Sequence, residues 1–91
     1  IASMPRINII NDRVVWDDDF LHYADELQAW LEERFSDVKR LHPRLIMANG
    51  GDTKLIARQS PFDSTLRLSA ESYGDVPPEE WLSKMKEIVL R

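Results

Sequence analysis

The sequence predicts an α/β fold in which a β-α-β unit precedes a β-β-α unit, giving a four-stranded mixed sheet with two covering helices. Three observations carry that expectation. An apolar stripe of helical period runs from Phe20 to Leu41, a continuous apolar run from Leu45 to Met47 follows it across only His42-Pro43-Arg44, and a second helical stripe spans Trp81 to Val89.

Arg6 to Ile10 is short and rich in β-branched residues, as a first strand is, and Arg13 to Trp16 either extends it or forms a second edge segment. Asp17, Asp18 and Asp19 stand just before Phe20, where carboxylates accept free backbone N–H groups and complement the positive end of a helix dipole. A helix is therefore expected from near Asp19. Its stripe is Phe20, Ala24, Leu27, Leu31, Phe35, Val38 and Leu41, at spacings of three and four that keep one face inward for about six turns. Tyr23 and Trp30 flank the stripe, Lys39 and Arg40 lie near its C-terminal end, and Pro43 disfavours α geometry at His42.

Leu45-Ile46-Met47 has the unbroken apolar character of a strand covered on both faces, a parallel neighbour reached by a right-handed crossover. Asn49-Gly50-Gly51-Asp52 is a turn and Lys54 to Arg58 a third strand. In Ser60-Pro61-Phe62-Asp63-Ser64 proline presets φ for a β-turn, after which Thr65 to Ser69 directs Leu66 and Leu68 inward and Arg67 outward. Asp75 to Glu80 opens the last helix, with proline near its first turn and two acids at its positive end. Trp81, Leu82, Met85, Ile88 and Val89 form its apolar face.

Composition narrows the function classes. Residues 1–91 suit a single domain, and 43% apolar with 31% charged residues is a globular balance. No apolar run approaches the roughly 18 residues needed to cross a bilayer. Cysteine is absent, which excludes a thiol nucleophile, a redox pair and any Cys-ligated metal. The net charge of -4 conceals a split: Asp12 to Glu33 holds eight acids against Arg13 alone, whereas Arg34 to Arg67 holds seven bases against Asp37, Asp52 and Asp63. Overall acidity argues against a dedicated nucleic-acid binder, and the basic half keeps that alternative in view.

No motif here carries catalysis. Three consecutive aspartates at 17–19 cannot all face one cation and are read as helix caps. Asn49 to Lys54 lacks phosphate-loop spacing, and neither Ser60 nor Ser64 sits in a nucleophile elbow. His22 and His42 fall at opposite ends of the expected helix, about 30 Å apart at about 1.5 Å per residue, too far to share a metal or a proton. No enzyme activity, catalytic residue, cofactor or metal is therefore expected. The candidate interface is Arg44, Lys54, Arg58 and Arg67, with Trp16 and Trp30 as aromatic anchors. The blander reading of such arginines is a solvated charged face.

The element order is thioredoxin-like, with the middle helix of that topology reduced to the turn at Asn49 to Asp52. Within that order, Leu31, Glu32, Arg34, Phe35, Val38, Lys39, Arg40, Pro43 and Leu45 resemble a segment of one family, and Lys54-Leu55-Ile56-Ala57-Arg58 is similar to the opening of its hairpin. The family is that of the small thioredoxin-like accessory subunit of mitochondrial complex I, NADH:ubiquinone oxidoreductase, which it shares with several mitochondrial ribosomal proteins. This chain departs from it in lacking the two cysteines, at Ile10 to Asp12 and Ala48 to Gly50, and in carrying Thr53 and Gln59 where the family has proline and tyrosine. Selenoprotein relatives of the same reduced topology need a Cys or selenocysteine that is likewise missing.

The resemblance implies a non-catalytic structural or assembly subunit of the peripheral arm of this respiratory-chain complex, in the mitochondrion on the matrix side of the inner membrane. Its partners would be protein subunits of that assembly, without direct membrane insertion or a small-molecule substrate. The alternative within the family is a ribosomal protein that sets Arg44, Lys54, Arg58 and Arg67 against rRNA. An oxidoreductase would need the missing thiol.

Overall fold

In the computed structural model, which describes residues 7–60, 62 and 65–90, more of the chain alternates in and out than turns helically. Strands β1 (Ile9–Val15), β2 (Asp37–His42), β3 (Leu45–Asn49), β4 (Thr53–Gln59) and β5 (Thr65–Ser72) form one sheet in the order β1-β5-β4-β3-β2. Every neighbouring pair is antiparallel. A 3-10 turn (Phe20–His22) leads into α1 (Ala24–Glu32), and α2 (Pro78–Val89) follows β5. The result is a five-stranded open antiparallel sheet with two helices, an α+β domain. It replaces the expected four-stranded, thioredoxin-like mixed sheet, and among the described residues it contains no β-α-β crossover.

The difference arises at the end of α1. Arg34 and Phe35 both donate their backbone N–H to the Leu31 carbonyl, at 3.0 and 2.8 Å, which tightens the last turn and reverses the chain. Ser36 and Asp37 disfavour a helix interior because their side chains compete for nearby backbone groups, and β-branched Val38 suits a strand. Val38 and Arg40 then pair with Ala48 and Ile46 in β3 instead of continuing a helical stripe. Leu41, the last member of that stripe, falls between the Arg40–Ile46 and His42–Leu45 pairs without a partner and is 59% exposed. Pro43 and Arg44 turn the β2–β3 hairpin, so the proline that reads as a helix stop presets a β-turn. His42 consequently lies on β2, not at the far end of a helix from His22.

β1 joins the two N-terminal apolar segments into one strand, although Arg6 lies outside the described residues, as do Pro61, Asp63 and Ser64 of the expected β4–β5 turn. Alternation sorts the sheet into two faces. Ile46, Ala48, Leu55, Ala57, Leu66, Leu68 and Ala70 point to the helices and are at most 1% exposed. Against them pack Phe20, Ala24, Leu27 and Leu31 from the first helical segment and Leu82, Met85, Ile88 and Val89 from α2. Helix α1 covers β2 and β3, α2 covers β5 and β1, and the two touch. Leu45 and Met47, expected to be covered on both sides, are only half-buried because nothing among the described residues packs on the other face.

Two local devices hold the helices in place. At the β3–β4 turn, Gly51 takes φ +81°, and Gly50 lies so close to Phe35 that an added Cβ would sit 2.5 Å from the ring. Before α1, the Gln59 side chain donates to the Asp18 carbonyl at 2.7 Å and accepts from the Phe20 N–H at 2.8 Å, anchoring the turn that buries Phe20. The Asp18 carboxylate accepts from the Tyr23 hydroxyl (2.6 Å) and the Asp19 N–H (2.7 Å), and pairs with His22 (2.9 Å). Asp19 in turn caps the 3-10 turn by accepting from the Leu21 N–H.

Led by the Tyr23 hydrogen bond, these contacts hold Asp18 at about 2, below its usual 3.8. Its folded-state value is depressed, so its stabilisation is complete above about pH 4 and is lost as pH falls toward about 2. Circular-dichroism melts should show the wild-type midpoint falling across that interval. The Asp18→Asn variant should start lower at neutral pH and fall less. Gly50→Ala should lower stability by about 1–3 kcal/mol in urea titrations, the usual penalty for forcing a packed ring to move.

Candidate functional site

The sheet face away from the helices carries its side chains in cross-strand rows. One row sets Arg13 of β1 opposite Arg67 of β5, and Arg67 opposite Arg58 of β4, continuing to Leu45 of β3. Neighbouring strands lie about 4.8 Å apart, so three guanidinium side chains arise within a span of about 10 Å. Like charges directly opposite one another destabilise a sheet, and this row holds two such pairs. The row beside it, Asn11, Ser69, Ile56 and Met47, is uncharged until it reaches Lys39 of β2.

Most of the other described bases are engaged elsewhere, Lys54 on the same face and Lys84 on the solvent side of α2 excepted. Arg40 pairs with Asp25 of α1 at 2.8 Å, Arg44 with Asp19 at 3.1 Å, and Lys86 of α2 with Asp12 of β1. Arg34 pairs with Glu33 and lies 4.5 Å over the Trp30 ring, and Lys39 pairs with Asp37. The acidic N-terminal segment is thus used largely inside the molecule. Among the described residues none offers Arg13, Lys54, Arg58 or Arg67 an ion pair. Lys54 sits opposite Glu71 in the outermost row of the same face, and the Glu71 carboxylate is engaged by Tyr73, whose hydroxyl is pushed up by that hydrogen bond.

A depression of about 370 Å³ lies among Asn11, Arg13, Ile56, Arg58, Arg67 and Ser69. Arg67 is its most enclosed cation, and its Nε is buried without a hydrogen-bond partner among the described residues. Asp12 and Leu68 also border it, but their side chains belong to the helix-covered face, where Lys86 holds the Asp12 carboxyl below its ordinary range. Val15, 87% exposed, and Ile9 add apolar surface along the β1 side of this face, and Phe62 of the β4–β5 connection is 95% exposed. A guanidinium is a fixed charge and a fork of donors rather than a proton-transfer group, so the chemistry this row offers is that of an anion's counterpart and not of an acid or base. Among the described residues no group of three or more His, Asp or Glu is placed to hold a metal ion.

Of the candidate interface residues, the structure brings Arg58 and Arg67 together and sets Lys54 on the same face. Arg44 is placed elsewhere, tied to the cap of the 3-10 turn. Trp16 is a core residue, 7% exposed and 5.6 Å from Tyr23, and Trp30 is half-buried edge-on to Trp81 at 6.0 Å. Neither tryptophan lies on the arginine face. The residue missed from sequence is Arg13: alternation along β1 shows that it shares a face with Asn11 and Val15, but only the long-range β1–β5 register sets it beside Arg67.

Relieving the row should raise stability. In chemical denaturation Arg13→Thr should gain about 0.5 kcal/mol, from removal of one like-charge pair and a better strand former, and no gain would mean that the guanidiniums are splayed beyond mutual influence. Comparison with known proteins offers no relative to guide the assignment: no protein-family model, curated protein or solved structure matches this chain.

Proposed function

We propose that this domain is a non-catalytic docking module that takes an acidic segment of a protein partner on the open face of its sheet. The observation that supports this is the Arg13-Arg67-Arg58 row, whose like charges stand side by side without an acidic partner among the described residues. Carboxylates from a partner would convert that repulsion into bidentate, charge-assisted hydrogen bonds. The split of charge assists approach, because the helix side carries Glu32, Glu79 and Glu80 and repels the same segment.

An accessory subunit of a larger assembly works in this way. The peripheral arm of mitochondrial complex I enters as the named assembly on the Leu31–Leu45 and Lys54–Arg58 segments alone, without the crossover topology that the resemblance implied. Docking itself stands on the arginine row.

Fluorescence anisotropy of a labelled glutamate-rich peptide should give saturable binding at low salt, weakened at least about tenfold in the double variant Arg58→Glu, Arg67→Glu. Equal binding by that variant would overturn the proposal. Native purification of tagged protein from solubilised mitochondria addresses the assembly. Peripheral-arm subunits that are lost with the double variant support complex I, whereas ribosomal proteins with rRNA, released steeply by salt, point to a nucleic-acid partner.

A further inference from the structure

We infer that the depression centred on Arg67 is a subsite for one phosphomonoester dianion, carried by a phosphorylated serine or threonine within the partner's acidic segment. The inference rests on the docking proposal for the carrier, while the subsite rests on its own geometry.

Charge is the first argument. Three arginines line one depression, and a carboxylate would answer them with a single charge, whereas a phosphomonoester brings about -1.5 to -2 and three acceptor oxygens, one for each arginine. Donor supply is the second. The Arg67 Nε–H has no acceptor among the described residues, a condition that disfavours the folded state until an acceptor arrives. A phosphate engaged side-on at Nε and one Nη supplies it, and rotation of the exposed Arg13 and Arg58 side chains admits it. Asn11 and Ser69, in the adjoining row, add neutral donors beside the guanidiniums.

Size is the third argument. The depression has about 370 Å³, enough to seat a phosphate with the side chain that carries it. Ile56 provides an apolar wall for that side chain. The nearest carboxylate bordering the depression, Asp12, is neutralised on the other face by Lys86, so it does not repel the ligand.

The test is a ¹⁵N NMR titration of the full chain with inorganic phosphate, at ionic strength held constant with sodium chloride. Saturable shifts are expected at the Arg67 Nε–H and the Asn11 and Ser69 amides. They should weaken at least about tenfold in Arg67→Lys, which keeps the charge but loses the fork, and be unchanged in Lys84→Ala, on the solvent side of α2. Shifts that fail to saturate, or that Arg67→Lys leaves intact in a folded protein, overturn the subsite even if a glutamate-rich peptide still binds. A second arm compares an acidic peptide with and without one phosphoserine against vesicles containing phosphatidic acid. Tighter binding of the phosphopeptide, lost in Arg67→Lys, supports the protein carrier. Phosphate binding without peptide binding overturns the docking proposal and leaves the subsite standing, and a preference for vesicles overturns the protein carrier alone.

Discussion

The contact of Phe35 with the β3–β4 turn and with α2 decides the topology of this domain. Its ring lies 5.2 Å from Trp81 and fills the space in which any side chain at Gly50 would have to stand. Phe35 is the residue at which α1 has just tightened onto the Leu31 carbonyl, so burying it pins the reversal of the chain to the rim of the sheet. A helix continuing past this point would carry Val38 onward along its own axis and leave β3 without an outer neighbour. With the reversal, Asp37–His42 comes back antiparallel and widens the sheet to five strands, while the helices still cover only one side. The outer strand β2, and with it the width of the open face, follows from where one phenyl ring is lodged.

Electrostatics then sorts the two sides. Each of the ties Asp25–Arg40, Asp19–Arg44 and Asp12–Lys86 is partly exposed and contributes modestly to stability. Their joint effect is positional. They draw bases toward the acidic segment at both ends of the sheet, to β2 and the β2–β3 turn on one side and to β1 and α2 on the other. The central strands keep Arg58 and Arg67, with Arg13 beside them, on the face that no helix covers. A chain of net charge -4 thus presents a basic surface, which bulk acidity alone would not suggest.

What could be read from the sequence follows the range of the interactions involved. The last helix, the Asn49 to Asp52 turn and the in-and-out pattern of Leu66, Arg67 and Leu68 are set by neighbours a few positions away, and all are visible in the residues. The stretch from Phe35 to Leu41 is not, because an apolar residue every third position suits a helix, while Phe35 and Val38 are placed here by contacts with Trp81, Gly50 and Ala48. Leu45 to Met47 misled for a related reason. An unbroken apolar run reads as buried on both faces, yet Leu45 and Met47 line an open surface. Two of the three arginines in the row, Arg58 and Arg67, were legible, and the third depended on the register of two strands from opposite ends of the chain.

Edge chemistry leaves this open face as the part of the sheet suited to a partner. An open sheet ordinarily offers its outer strands for backbone pairing, and these are β1 and β2. β2 sets Asp37, Lys39, Arg40 and His42 along its length and is interrupted by the unpaired Leu41, while β1 places Asn11, Asp12 and Arg13 at its centre. Charged and irregular edges of this kind discourage the addition of a further strand. Recognition by side chains across the middle of the sheet has no such obstacle. There β4 and β5 are fixed by pairing on both sides, so Arg58 and Arg67 start from a rigid floor and less freedom is lost when an anion orders them. Their mutual repulsion is retained in the folded protein because the packing beneath, from Leu55, Ala57, Leu66 and Leu68, holds the strands in register regardless.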